Sequence, residues 1–315
     1  MHLRSRITLQ NKVSTVNTMS EGLQKTATNG HEKMLISQEQ QAMISEMRRL
    51  IGPLSDRASL YCSDATILRY LSSRNWNVKK AAQMLKHSLK WRKECKPEEI
   101  RWEEVINEAE TGVMYRTNYC DKYGRPVIVM RPCRQNSKSL KGQMNYFVYC
   151  MENAILNLPA HQEQVVWLID FHGFNLSHVS FKVARETARI LQEHYPKRLG
   201  LAILYNPPAI FQPFFAMVKP FLESETYNRV KFGYSDDPNT KKIMEDLFNM
   251  DNLESAFGGN GGTGVDKIKY AERMKEEDNK TRSFWTRANS LSSVSQNADS
   301  DASNVEKIDR SPVPN

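Results

Sequence analysis

Apolar positions along this chain follow two alternating rhythms. From Ser37 to about Leu50 they keep the spacing of one helical face, and Gly52-Pro53 stops the pattern. Ser63-Asp64 offers a helix cap, followed by Ile67, Leu68 and Leu71 at helical spacing. Asn75-Trp76-Asn77 breaks that helix, and Val78 to Arg92 gives another, with Ala81, Ala82, Leu85 and Leu89 on one face. The charged stretch Lys93 to Glu99 then reads as a linker. Beyond it the period changes. Val113–Tyr119 and Pro126–Met130 predict strands around a turn at Asp121-Lys122-Tyr123-Gly124. Val165–Ile169 is a continuous apolar run, which predicts a central strand buried on both faces. Helical segments at Gln143–Leu156, Ser177–Tyr195 and Lys241–Phe248 alternate with strands at Leu201–Tyr205 and Val230–Tyr234. Strands alternating with helices predict an α/β sheet with parallel pairs.

The stretch Tyr195 to Leu222 departs from both rhythms. A basic turn, Lys197-Arg198, leads into the strand Leu201–Tyr205, and Asn206-Pro207-Pro208 stops it. The segment Ala209 to Leu222 is then apolar nearly all round. A helix of that kind is either wholly buried or faces something apolar outside its own core. Fourteen residues give a helix of roughly 21 Å, too short for a hydrocarbon core of about 30 Å. The segment is therefore expected to cover an apolar ligand, touch a membrane surface, or do both in turn.

Composition narrows the choices. The 315 residues carry a net charge of +8, and from Thr263 onward nine basic and nine acidic residues balance, so the excess lies upstream. A basic surface favours anionic partners such as nucleic acid, lipid headgroups or acidic proteins. The five cysteines show no C-x-x-C spacing, which predicts reduced thiols and no zinc site. The first twenty residues lack an apolar run and an acid, and read as a disordered leader with a faint likeness to a transit peptide. The predicted organisation is a leader over 1–35, a helical module over 36–99 and an α/β domain over 100–262. Residues 263–315 follow as a charged helix at Val265–Asp278 and a Ser-rich disordered tail.

Four short motifs carry less than they promise. Gly259, Gly261 and Gly264 fit G-x-G-x-x-G, but no strand precedes them and no βαβ unit can follow. Cys95 and Arg101 have the C-x5-R spacing of a thiolate phosphatase loop, yet Glu98 and Glu99 lie inside it and Pro97 removes a donor. Asp170 and His172 end the central strand, where an Asp is expected to cap the turn. Basic and aromatic residues interleave from Tyr227 to Phe232 without any nucleic-acid-binding signature.

Two segments together resemble one family. Asp64 to Glu94 is similar to the N-terminal helical module of CRAL-TRIO lipid-binding proteins. Tyr123-Gly124-Arg125-Pro126, Leu168-Ile169-Asp170 with Gly173, Tyr195-Pro196, Arg198-Leu199-Gly200, Asn206 with Pro208, Lys219-Pro220-Phe221-Leu222 and Phe257-Gly258-Gly259 follow in order. Their order and spacing resemble the CRAL-TRIO domain of yeast-type phosphatidylinositol transfer proteins. The resemblance implies a helical bundle packed on an α/β bowl with a mixed, mainly parallel sheet, closed by a gate helix. It implies that the cavity and gate use Leu204, Phe211, Phe214, Phe215, Met217, Val218, Phe221 and Leu222. Thr226 and Arg229 match the headgroup positions of phosphatidylinositol-binding members. Lys197 stands where those members carry an acid, and Val165, Val166 and Trp167 replace the small hydroxyl residues that touch phosphatidylcholine.

The expectation is a non-enzymatic cytoplasmic protein, transiently peripheral to membranes. It would act as a monomer, bind one phospholipid of phosphoinositide type, and need no cofactor besides that ligand. It would transfer the lipid or present it to a lipid-modifying enzyme, and would not bind nucleic acid. Two alternatives stand beside it. One is a carrier of a sterol-, tocopherol- or retinoid-type molecule. The other is a lipid or phosphate-ester enzyme, for which the sequence offers no nucleophile or metal constellation.

Overall fold

The computed structural model describes residues 36–175, 177 and 180–301, with side chains through residue 286. The predicted leader, and the tail beyond residue 301, lie outside the described residues. The chain divides into two units, Met1–Met43 and Ile44–Asn315. The sheet and the site described below lie in the second.

The helical module comprises α1 (Gln38–Ile51), which spans the boundary between the units, then α2 (Asp56–Tyr61), α3 (Asp64–Ser73) and α4 (Val78–Cys95). Ser63 caps α3 by accepting from the Thr66 N–H, and Asn77 caps α4 by accepting from the Lys80 N–H. The break between them is tight: Asn75 and Trp76 both take left-handed backbone angles, φ 49° and 61°. The stretch Lys93–Glu99 is not a solvated linker. Pro97 and Glu98 are buried, and Arg92 pairs with Glu98 at 3.2 Å and with Glu152 at 2.8 Å. A buried charge needs such partners, and here they weld the helical module to the domain that follows.

That domain begins with α5 (Trp102–Ala109), a helix absent from the predicted elements. A five-stranded sheet follows in the order β1 (Met114–Cys120), β2 (Pro126–Met130), β3 (Val165–Asp170), β4 (Leu199–Tyr205), β5 (Val230–Gly233). The β1–β2 pair is an antiparallel hairpin and the other pairs are parallel. Strand β3 sits in the middle, with Val165, Val166 and Leu168 fully buried. Burial on both faces accounts for its unbroken apolar run. Helices α6 (Leu140–Leu156) and α7 (Phe181–His194) supply the crossovers, and α8 (Phe211–Val218), α9 (Ser224–Asn228) and α10 (Pro238–Leu247) complete the domain.

The glycine-rich end is structural. A Cβ at Gly259 would fall 2.0 Å from the Leu253 carbonyl oxygen, so the backbone passes too close for any side chain. The loop is tied to the sheet by a buried cluster. Arg131 donates to Asp170 at 3.2 Å, to the Tyr115 hydroxyl at 2.5 Å, and to Glu254. The Asp170 carboxylate also accepts from the His172 N–H at 2.9 Å, the turn-capping role its position predicts.

The final helix, α11, runs over Lys267–Asp301. Its first turns bury Tyr270 and Met274, and its Asp278 carboxylate accepts from the Trp102 N–H at 2.7 Å and the Tyr149 hydroxyl at 3.0 Å. The helix continues past Ser290, where composition predicts disorder. Once a nucleus is anchored, each further residue adds a hydrogen bond without needing a buried face of its own.

Candidate functional site: a lidded cavity with a charged mouth

The lid is built where β4 ends. Asn206, at φ 53°, turns the chain off the sheet; its N–H donates to Gly233 O at 2.8 Å and its side-chain oxygen accepts from the Ser235 N–H at 2.8 Å. Pro207 and Pro208 prevent the strand from continuing. The segment Ala209–Leu222 does not form one helix of fourteen residues. Helix α8 covers Phe211–Val218, and Lys219–Phe221 tightens into a 3-10 turn around Pro220. A proline inside the run removes an amide donor, so the α pattern ends ahead of it.

Seen along its axis, α8 has two unlike faces. Phe211, Phe214 and Val218 are buried, at i, i+3 and i+7. They pack with Phe171 and Leu204 of the sheet end into an apolar cluster separate from the main core, with Phe215 and Leu222 half-buried against it. Phe211 lies 4.4 Å from the Phe171 ring centroid, and Phe215 lies 5.3 Å from Phe232. The outer side of the lid is largely apolar and exposed: Met217 of α8 is 55% exposed, Ile210 just before it 53%, and Phe221 in the following turn 42%, its ring 5.6 Å from Phe181. Gln192 of α7 fastens the far end of the lid. Its amide donates to Phe221 O at 2.9 Å and accepts from the Glu223 N–H at 2.6 Å, so it straddles Leu222.

Under the lid is a cavity of about 820 Å³. Its floor is Trp167, Ile169, Ala202 and Leu204 of the sheet. Helices α6 and α7 wall it with Met144, Phe147, Ala184 and Leu191, and Phe211, Phe214, Phe215, Val218 and Leu222 roof it. Of the eight residues expected at the cavity and gate, the structure therefore gathers six around the cavity. Met217 and Phe221 stand on the outer side of the same lid. Trp167, in the strand whose small hydroxyl residues are missing, fills part of the floor and its indole N–H has no partner.

The three expected headgroup residues come together at one rim. Thr226 lines both the cavity and a small adjoining pocket whose wall includes Lys197 and Arg229. Lys197, held at φ 64°, donates to Glu225. Arg229 donates to Glu225 with one nitrogen and to Leu199 O with another. An acid is thus present at the rim after all, supplied by α9, the short helix after the lid. Burial raises the Glu225 carboxyl, but the Lys197 hydrogen bond and the Arg229 charge outweigh it and hold the group below its ordinary value. Arg74, from the helical module, pairs with Glu223 at 3.2 Å on the same rim. Glu223, Glu225 and Gln192 carried no signal of this role in the sequence, beyond the i, i+4 spacing of Glu225 and Arg229.

The other motifs dissolve on inspection. Arg101 donates to the Glu98 and Ile100 carbonyl oxygens, at 2.8 and 3.0 Å, and burial raises the Cys95 thiol rather than activating it. Tyr227–Phe232 is the passage from α9 into the edge strand β5.

A sheet-floored apolar cavity under a separate lid is the anatomy of a domain that encloses a hydrophobic ligand. The model of the CRAL/TRIO N-terminal domain matches residues 20–87 and that of the CRAL/TRIO domain residues 109–259. The chain belongs to the CRAL-TRIO family of lipid-binding and lipid-transfer domains. A CRAL-TRIO domain-containing protein of Schizosaccharomyces pombe is 33% identical over 218 residues, 69% of this chain and 21% of that protein. The phosphatidylinositol transfer protein PDR17 of Saccharomyces cerevisiae is 31% identical over 193 residues, 57% of this chain and 55% of its own length. The chain thus spans about a fifth to a half of these two relatives. The Sec14 cytosolic factor of Schizosaccharomyces pombe is 29% identical over 250 residues, and 85% of it is covered. The crystal structure of Sfh5 shares the fold, with a TM-score of 0.54 at 16% identity over 77% of this chain and 91% of that one. Among the described residues, no helix is long and apolar enough to cross a membrane.

Proposed function

We propose that this protein binds one phospholipid, its acyl chains in the cavity and its phosphate-bearing head at Lys197, Thr226 and Arg229, and exchanges or presents that lipid at a membrane surface. The observation that carries the reading is the separate apolar cluster that roofs an apolar cavity of about 820 Å³ beside a basic rim. Two chains of about 16 carbons, at about 0.8 kcal/mol per CH₂, cost roughly 25 kcal/mol in water, so a carrier must enclose them. Ile210, Met217 and Phe221, exposed on the outside of the lid, suit insertion into a membrane interface when the lid opens. Lys219 beside them suits anionic headgroups. The role in this reading is binding: Lys197 and Arg229 share the one carboxylate of Glu225, which leaves a positive excess at the rim for a phosphate-bearing head.

The test is native mass spectrometry of the protein purified from its own cells, with analysis of the extracted lipid. A single co-purified phospholipid per chain, and transfer of phosphatidylinositol between vesicles, is the expected result. Recovery of no lipid together with no vesicle transfer would overturn the proposal.

A further inference from the structure

The cavity is polar at both ends, and the two ends lie far apart. Thr226 and Val230 line it beside β5, whereas Glu108, Val113 and Met114 line it beside β1. Those strands are the two edges of the sheet. Four inter-strand steps of about 4.8 Å separate them by roughly 19 Å. The β5 end is the charged rim already described. The β1 end has a different character.

Glu108, on the last turn of α5, is 6% exposed and forms no ion pair among the described residues. One of its carboxylate oxygens lies so close to Gly142 that a Cβ there would meet it at 2.6 Å. A side chain at this position in the first turn of α6 would push the carboxylate aside. The other oxygen, Oε2, is buried with no hydrogen-bond partner. The cavity wall on this side carries Val113, Met114, Leu140 and Met144 together with the polar Gln135, Asn136, Ser137 and Lys138, and the Gln143 amide donates to Ser137 O at 2.8 Å. A buried carboxylate oxygen left unpaired is costly, and such groups in folded proteins ordinarily find a donor. The terminal methyl of a plain acyl chain offers none. A second carboxylate or a phosphate would be repelled. The group that fits is a hydroxyl carried on an apolar skeleton.

We infer that the β1 end of the cavity is a subsite for a lipid hydroxyl, with Glu108 accepting its hydrogen. The inference rests on the cavity being the ligand site, and it specifies which lipids that site prefers. The same chemistry has two sources. One is a hydroxyl along the acyl chain of a phospholipid whose head occupies the rim; the other is a lipid alcohol of sterol type that enters hydroxyl first.

The experiment compares binding from neutral vesicles for two matched pairs of probes. The first pair is phosphatidylinositol with a hydroxylated or a plain unsaturated acyl chain. The second is a fluorescent 3-hydroxysterol or its 3-deoxy counterpart. Wild-type protein is expected to prefer the hydroxylated member of one pair by about tenfold or more, and that pair identifies the source. Glu108→Leu should abolish the preference while keeping affinity for the plain member. Glu108→Gln, which retains a carbonyl acceptor and the side-chain shape, should keep part of it and serves if the leucine variant does not fold. Absence of preference in both pairs, or preference unchanged in Glu108→Leu, would overturn the inference. Wild-type binding of plain phosphatidylinositol with no hydroxyl preference would overturn only this subsite. Failure to bind any of the four probes would overturn the lipid-carrier reading as well.

Discussion

Two apolar clusters rest on the same sheet, and they are held in different ways. The main core interlocks all five strands with α5, α6, α7, α10 and α11, and fully buries residues such as Val166, Leu168, Met151 and Phe257. The lid cluster consists of Phe211, Phe214 and Val218 resting on Phe171 and Leu204. The first is sealed by buried polar ties, among them Arg131 with Asp170 and Glu254, and Arg92 with Glu152. The second is fastened at its ends, by Asn206 on one side and Gln192 on the other, while its middle is ring against ring. Separating the lid breaks few hydrogen bonds and only the small aromatic contact of α8 with Phe171, Leu204 and Phe232. Regions of that kind open locally at a fraction of the global unfolding free energy. On the proposed function, one molecule would combine a floor that must not move with a cover that can.

The sharpest way to test that contrast is to damage each cluster in turn. Phe257→Ala, which removes a ring packed 5.5 Å from Tyr205, should cost about 3–5 kcal/mol in denaturant unfolding. A cost below about 1 kcal/mol would mean that the core is no firmer than the lid. A second probe of the core is pH. His194 is fully buried, stacked 4.2 Å from Trp91; burial first, then the charges of Arg189, His87 and Arg92, press its pKa down to about 3. Its folded value lies below the ordinary value near 6.5, so the unfolded chain binds a proton that the native chain refuses. Stability from this group is complete above about pH 6.5 and falls as pH drops toward 3. Unfolding titrations at pH 7 and pH 5 should differ by about 2 kcal/mol, and His194→Gln should shrink the difference.

The lid should respond in function more than in stability. Phe215→Asp is expected to cost about 1 kcal/mol or less in unfolding yet slow lipid exchange between vesicles several-fold. Unchanged exchange would mean that α8 is not the moving part. The smallest stability effect belongs to the rim. Arg229, partly exposed, pairs with an exposed Glu225, so Arg229→Ala should cost under about 1 kcal/mol. It should weaken phosphatidylinositol binding and spare apolar ligands; equal loss of both in a binding assay would remove the rim from the headgroup role.

The core was far more legible in the sequence than the rim, for physical reasons. Strand β2 matches its expected bounds at Pro126 and Met130, and β3 was visible as an uninterrupted apolar run, because burial on both faces acts on neighbouring residues. Ser63 was readable as a helix start because capping is local, whereas Asn77, read as part of a break, turns out to cap the next helix. Helix α5 was missed because Glu103, Glu104 and Glu108 interrupt its apolar face of Trp102, Val105 and Ala109. The lid was legible in composition but not in its break into a helix and a 3-10 turn. At the rim, Glu225 and Lys197 meet across 28 positions of sequence, and Gln192 reaches Glu223 across 31. Such polar side chains look like any solvated surface until the fold brings them together. Glu108 gave no signal at all, since nothing in a run of glutamates says which one will be enclosed.

The cavity and the rim pocket have a common wall, made of Leu191, Leu199 and Thr226. That sharing has a kinetic meaning. Thr226 follows the lid by four residues, so in the proposed function a displacement that unroofs the tails would also shift the wall beside the head. On the proposed function, a lipid seated in both would not shed one end and linger by the other. Departure becomes a single event, and a label on the head and a label on a tail should report the same escape rate.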